Sequence, residues 1–434
     1  MRDLPTHVAI IGGAAVVAAG VASGWVAGLI VALIGLGVLA SIWVGQRIAT
    51  DVDRGWLTAL LPLAFIAKMI GAAVRYFVVV EVYGIGDAFG YHRTGVRIAP
   101  IWESLQVPEV TGGSFGTQVT GQITGLVYAV ATPPMIGGFL FFATLSFVGM
   151  LFFYIAFRST MPRWGVLPYF VLLFFLPTMA FWPSSVGKDA LMVFGLGLVA
   201  LGATRLISGK SAAAIWLAAG GGILLGLIRP HILAIAVGSI VVTIVFARAG
   251  DLDVGRAARA LLMMVAVVAM IYIVPIAAAR IGADEGLETF LAEQSRLTSR
   301  GGSAVIGEPA TSPQAIPEAT LRVLFRPLIH EATSPGMFLS ALESVALLGL
   351  VIWTLPTMWA NRRIARRTPY MTFSLAFTGA FTIAFSAIFN LGILARQRSQ
   401  VFPFLLVVIV GLGWRKWSAA DVAQAESQQT EISV

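Results

Sequence analysis

Residues 182–206 read WPSSVGKDALMVFGLGLVALGATRL. A polar lip runs from Trp182 to Asp189, and the next fifteen residues, Ala190 to Thr204, carry no charge before Arg205 ends the run. A stretch this apolar, with no alternation of polar and apolar positions, reads as a helix buried on every side, and about 20 such residues cross a bilayer core. The reading fixes a span near 186–208. It also raises a question, because Lys188 and Asp189 stand at the mouth of that span rather than in open solvent.

The same pattern recurs along the chain. Of 434 residues, 58% are hydrophobic and 12% charged; soluble proteins carry roughly 25% charged residues. Mean hydropathy is +0.88. An all-α, polytopic membrane protein follows, with about twelve helices expected near 8–22, 25–45, 56–82, 133–157, 164–182, 186–208, 212–228, 230–248, 256–279, 336–358, 369–393 and 399–414. Residues 1–417 are expected to form one integral membrane domain, and the polar stretch 418–434 a disordered cytoplasmic tail. Residues 8–22 lack a small-residue cleavage site and read as a retained span. Usage rich in Ala, Gly, Val and Arg fits a high-GC bacterium, hence a cytoplasmic (inner) membrane.

Lys and Arg set the expected orientation. Sixteen of the 29 fall on the side of the N-terminus, eleven on the other, and Lys68 and Arg75 lie within a span. The positive-inside bias then places both termini in the cytoplasm, with segments 83–132 and 280–335 outside. The middle of the second segment, Ser299 to Pro317, is rich in Gly, Ser and Pro. Its flanks, Leu287–Leu297 and Leu321–Ile329, read as short amphipathic helices. The formal charge of +8 is dispersed between spans and does not describe a nucleic-acid surface. Cysteine is absent, which excludes disulfides and thiolate chemistry; with only His7, His92, His231 and His330, a dedicated zinc or iron centre is not expected.

Four polar clusters fall on the expected outer side, where short loops ordinarily avoid Lys and Arg. Cations kept there against the bias suit an anionic ligand, and a phosphate-bearing lipid is the natural candidate. Gly86-Asp87-Ala88-Phe89-Gly90-Tyr91-His92 is the first. Asp87 is suited to take a proton from an acceptor hydroxyl, with Tyr91 and His92 placing a sugar; alternatively Asp87 opens a surface helix as its cap. The second, Ser184-Ser185-Val186-Gly187-Lys188-Asp189, puts hydroxyls and a cation at a helix N-terminus, a phosphate-binding arrangement, or simply marks a span start. The third, Arg229-Pro230-His231, joins two spans with almost no loop. Arg229 suits bidentate phosphate recognition or anchors to lipid headgroups. The fourth, Arg396-Gln397-Arg398, is read as a short turn between the last two spans, its arginines binding an anion or snorkelling to the interface. Arg75 shares a helix face with Lys68 and can reach the same anion. Before the tenth span, Arg322, Arg326, His330 and Glu331 are further polar candidates.

These segments resemble bacterial multispanning polysaccharide-assembly proteins, namely GT-C-type glycosyltransferases and O-antigen or exopolysaccharide polymerases. The Gly-Asp-Ala-x-x-Tyr-His pattern at 86–92 looks like the acidic motif of a GT-C outer loop, which implies a base role for Asp87. The Pro-Ser-Ser-x-x-Lys-Asp, Arg-Pro-His, Phe-Arg-Pro and Arg-Gln-Arg segments look like those of the polymerases, which implies that outer arginines bind a lipid pyrophosphate. Two departures stand out. Asp87 follows the third span rather than the first, and a second acidic residue has only Glu103 as a candidate.

The expected activity is transfer from a polyprenyl-phosphate- or pyrophosphate-linked saccharide at the outer face during envelope polysaccharide assembly. Other polysaccharide-assembly proteins and the bilayer itself are the expected partners, and nucleic acid is not. No cofactor is required, although an outer carboxylate leaves room for a divalent cation. A transporter or flippase of an anionic lipid is the competing class, and a non-catalytic assembly scaffold a third. The lack of an internal repeat and the clustering of polar groups at one face favour the enzyme.

Overall fold

The computed structural model describes residues 25–50, 53–130, 133–207, 213–246, 298, 303–305, 309–310, 312–365, 368–423 and 425. The described residues are helical, without a β-strand, and five helical runs are long and apolar enough to cross a membrane: Arg54–Tyr83, Met135–Arg158, Lys188–Ile207, Pro335–Asn361 and Leu391–Gly413. The chain is a helical membrane protein. Shorter apolar helices accompany these runs. The expected spans 8–22 and 256–279, and the expected helix Leu287–Leu297, lie outside the described residues.

In chain order the helices are α1 (Trp25–Ile48), α2 (Arg54–Phe77), α3 (Asp87–Glu103), α4 (Phe115–Val130), α5 (Met135–Arg158), α6 (Arg163–Phe175), α7 (Pro177–Phe181), α8 (Lys188–Ile207), α9 (Ala214–Ile228), α10 (Pro230–Phe246), α11 (Ile316–Phe325), α12 (Pro335–Asn361), α13 (Pro369–Phe385) and α14 (Leu391–Val408). The chain divides into two compact units: Met1–Phe147 with Ala180–Ala190, and Val148–Met179 with Leu191–Val434.

In the first unit, α1 lies along α2 and α3 pairs with α4. Residues 83–130 are therefore largely a helical pair, in keeping with a segment able to form short helices. α3 carries Arg93 and Arg97 on its exposed side and buries Ala88, Tyr91, Gly95, Ile98 and Ala99. α4 answers with a stripe of Gly116, Thr120, Gly121, Thr124 and Gly125. Small residues at four-residue spacing let two helices approach closely, and the Thr120 and Thr124 hydroxyls donate back to Gly116 and Thr120 carbonyls, at 2.7 and 2.8 Å.

The second unit is built around α14. It is buried along nearly its whole length, and rings from neighbouring helices surround Phe404: Phe153 and Phe373 edge-on at 5.1 and 5.4 Å, and Phe377 at 4.2 Å. The Tyr169 hydroxyl donates to the Pro403 carbonyl at 3.1 Å. Asn361 donates to the carbonyls of Leu412 and Arg415, and the Trp417 indole to that of Gly411. These bonds serve carbonyls that the wide turn Ile409–Gly413 takes out of the regular ladder. α12, by contrast, turns Leu339, Leu342, Ile352, Trp353 and Trp359 outward, as a lipid-facing helix does.

Three expected boundaries move. The span read over 164–182 breaks at Leu176, which is extended because Pro177 follows it. The buried Glu343 carboxylate serves the broken end, accepting the Thr178 N–H at 3.1 Å and its hydroxyl at 2.8 Å. The span read over 369–393 ends at Phe385, and α14 starts at Leu391. Asn390 caps it by accepting the Ile393 N–H at 3.0 Å, and the Ser303 hydroxyl steadies the cap. The helix read over Leu321–Ile329 ends at Phe325, before Arg326-Pro327. The segment read as a tail begins with a helical turn: Asp421 accepts hydrogen bonds from Ser418 and from the Trp164 indole.

Within the second unit α5 crosses α8 where only glycine fits: a Cβ built at Gly149 would lie 2.6 Å from Phe194 Cα and from the Val193 carbonyl oxygen. A Cβ at Gly349 of α12 meets nothing. Gly149→Ala should therefore destabilise the purified protein by about 1–3 kcal/mol, while Gly349→Ala should leave it unchanged or raise its stability by up to about 1 kcal/mol. Melting temperatures of the two variants in detergent give the comparison, and equal melting would remove the close crossing.

Candidate functional site

The first unit brings together the first two polar clusters. α3 begins at Asp87, preceded by Gly86 at φ +145°. Asp87 is exposed and forms the first helical residue. Gly86 rather than Asp87 occupies the cap position, so the capping alternative holds for where the helix starts and not for which residue caps it. One turn on, Tyr91 is buried, with its ring against Gly187: a Cβ at Gly187 would stand 3.2 Å from Tyr91 Cε2. Gly187 has φ +152°, which disfavours any side chain there. His92 Nδ1 shares a 2.9 Å hydrogen bond with the Tyr128 hydroxyl, and burial pushes its imidazole below the usual range. Tyr91 and His92, expected to place a sugar, are thus engaged in packing α3 against its neighbours.

Lys188 opens α8 and donates to Thr117 Oγ1 at 2.9 Å and Ser114 Oγ at 3.4 Å, both at the start of α4. Asp189 beside it is buried. Ser184 does not cap α8; its hydroxyl donates to the Ala180 carbonyl at 2.6 Å, and Ser185 is buried. The Ser146 hydroxyl holds the Pro183 carbonyl at 2.6 Å. The Arg75 guanidinium lies 4.8 Å from the Phe181 ring and 4.6 Å from the Trp182 ring. Arg75 thereby packs on the polar lip with two cation–π contacts.

The second unit brings together the third and fourth clusters. Arg229 is the C-cap of α9, at φ −142° and ψ 81°, and Pro230 starts α10 at once. The Arg229 guanidinium donates to the Gln397 side-chain oxygen, although 168 residues separate them. The Gln400 amide donates to that same oxygen. His231 lies beside the Phe385 ring, centroids 6.0 Å apart. Arg396, Gln397 and Arg398 were expected in a turn. They occupy the second turn of α14 instead, because Asn390 starts the helix six residues earlier.

The two arginines of that cluster therefore differ. Arg398 is 2% exposed. It donates to the Val323 carbonyl at 2.9 Å, to Ser344 Oγ at 3.0 Å and to the Arg322 carbonyl at 3.5 Å. Arg396 is half-buried. Beyond Arg398 a chain of charges continues. Arg322, wholly buried, pairs with Glu318 at 2.5 Å, donates to the Ser386 carbonyl at 2.8 Å and stacks over Phe389. Arg326 grips Glu331 with two nitrogens and comes within 3.9 Å of Glu318. Arg326 and Arg398 thus have protein partners that account for their burial.

Several of these partners escaped the sequence reading. Ser114, Thr117 and Ser344 are ordinary polar residues with no motif of their own, and Gln397 stood out only as the residue between two arginines. Glu318 and Arg322 do carry a local signal, since a four-residue spacing puts them on one helix face. Among the described residues, no three His, Asp or Glu side chains come together as metal ligands.

Burial raises the Glu331 carboxyl, but the Arg326 hydrogen bonds, the Leu328 N–H and the Arg326 charge outweigh it and leave the group below its usual value. A lowered carboxylate stabilises the fold above its unfolded pKa, and that contribution is lost as pH falls through the lower, folded value. The Leu328 amide, 2.8 Å from Glu331 Oε2, should stay protected from hydrogen exchange at neutral pH and open as the medium becomes acidic. Glu331→Gln should expose it at neutral pH. Protection of Leu328 that does not change with pH would show that Glu331 does not hold this turn.

No protein-family model, curated protein or solved structure matches this chain, so any reading of the site rests on its residues and their geometry.

Proposed function

We propose that this protein is a membrane glycosyltransferase or polysaccharide polymerase acting at the outer face of a bacterial cytoplasmic membrane, with a polyprenyl-phosphate- or pyrophosphate-linked saccharide as donor. The observation that carries the reading is the meeting of Arg229 with Gln397. It joins Arg-Pro-His to Arg-Gln-Arg at one place in the second unit, so that two cationic clusters distant in sequence act on one ligand. Arg229 holds the donor phosphate in this reading, with Arg396 beside Gln397 in the same helical turn. In the first unit Asp87 is the exposed carboxylate that takes the proton of the acceptor hydroxyl, and Lys188 adds positive charge at the start of α8. Both termini are cytoplasmic and twelve spans cross the bilayer.

Orientation is tested by cysteines placed singly at Ser114 and Ser303 of this cysteine-free chain. Both should react with an impermeant thiol reagent in intact cells; reaction only after lysis would reverse the topology and remove the outer-face reading.

Chemistry is tested with a lipid-linked saccharide donor and product analysis in liposomes. Asp87→Asn should lower turnover by about 10²–10⁴-fold with donor binding kept. Arg229→Ala should weaken both donor binding and turnover, and Arg229→Lys should restore only part, since a point charge does not replace a bidentate fork. Full activity of Asp87→Asn would take that residue out of the mechanism. Movement of the lipid across the bilayer without any glycosidic product would assign the transporter function instead.

A further inference from the structure

The Gln397 side-chain oxygen accepts from both Arg229 and the Gln400 amide nitrogen. That double acceptance fixes which way the Gln400 amide points. Its nitrogen is used, and its carbonyl oxygen faces away from Gln397. Gln400 is 0% exposed, and its Oε1 is buried without a hydrogen-bond partner. A second such atom lies two residues beyond Arg229: His231 Nδ1 is also buried without a partner. A buried polar atom left unmatched is costly, and two on the flanks of one Arg–Gln pair ask for a common explanation.

The two atoms share one chemistry. An amide oxygen accepts only, and a neutral imidazole with its proton on Nε2 accepts at Nδ1. In that tautomer each can accept a hydrogen bond from a bound ligand. A bare phosphate dianion supplies no donor. A saccharide supplies hydroxyls, each able to donate one hydrogen bond. We propose that Gln400 and His231 form the sugar-reading part of this site: they accept hydroxyl protons of a phosphorylated saccharide whose phosphate lies on Arg229. The inference rests on the preceding reading that the donor is a lipid-linked saccharide, and it adds two specificity residues to it. It also divides the work. Arg229 recognises the anion, and Gln400 and His231 recognise the ring. A site that hydrogen-bonds a substrate hydroxyl rejects ligands lacking it, because its own acceptors are then left unmatched.

The test uses the full-length protein in detergent and measures equilibrium binding, without any assay of transfer. The probes are inorganic pyrophosphate, a panel of hexose 1-phosphates, and the best-bound of these carrying a short prenyl tail through a second phosphate. Gln400→Met removes the acceptor at nearly constant volume. It should weaken the hexose 1-phosphate by about tenfold, the effect of one lost hydrogen bond in a buried site, and leave pyrophosphate binding unchanged. His231→Phe should do the same. Arg229→Ala should weaken both probes together. Retained melting temperature in each variant shows that the effect is not misfolding.

If Gln400→Met leaves hexose phosphate binding intact, or weakens both probes equally, the sugar-reading role is overturned. Binding of pyrophosphate with no hexose phosphate in the panel would overturn it as well. Tighter binding of the tailed compound supports a lipid-borne saccharide, and equal binding overturns that source. Because product formation is not measured, a wild type that binds in this way yet makes no glycosidic bond would sink the transferase reading and leave the site standing.

Discussion

A guanidinium with almost no access to solvent has to be met from within the protein, and Arg398 imposes that demand on the second unit. Its three acceptors come from two other helices: two carbonyls at the end of α11, Val323 and Arg322, and the Ser344 hydroxyl in the middle of α12. Removing a charge from water costs several kcal/mol unless every donor finds a partner. α11, α12 and α14 must therefore meet where they do. Arg322, whose carbonyl serves Arg398, is itself buried and leans on Glu318, Ser386 and Phe389. One buried arginine thus orders a second, and the pair ties the segment before α12 to the helices behind it.

The same rule explains the irregular backbone of this unit. Where helices break, side chains supply the missing partners. Glu343 takes the freed N–H and hydroxyl of Thr178 at the break before α7. Asn361 and Trp417 take carbonyls at the wide turn that ends α14. In an apolar surrounding no water is at hand to do this, so polar side chains supply the partners at these ends and breaks. A functional reading has to be weighed against that structural demand. Arg326 and Arg398 answer it fully. Arg229 is tied to Gln397 on another helix, and the Gln400 amide shares that oxygen.

The first unit works by shape more than by charge. α3 and α4 meet through glycine and threonine, and Tyr91 rests on Gly187, so Asp87 and the start of α8 are carried by rigid neighbours. Lys188 is drawn to the start of α4 by two hydroxyls.

The sequence alone determined that this is a helical membrane chain, because runs such as 190–204 hold no charge and leave only the helix to satisfy their backbone. It also marked Asp87, Lys188, Arg229 and Arg398 as polar residues in costly places. Helix ends set by local chemistry were legible at Asp87 and Lys188. The break before Pro177 was missed although proline announces it, since hydropathy runs through it without change. Only the tertiary structure decided which arginines are structural. Arg396 and Arg398 stand two residues apart with the same composition around them, yet one is wholly enclosed and the other is not. The difference arises because successive residues on a helix point about 100° apart, and only packing settles which face meets α11 and α12. The roles of Gln397, Gln400, Ser344 and Thr117 belong to the tertiary structure for the same reason: their hydrogen bonds join residues from different helices, and nothing in local sequence records a partner up to 168 positions away.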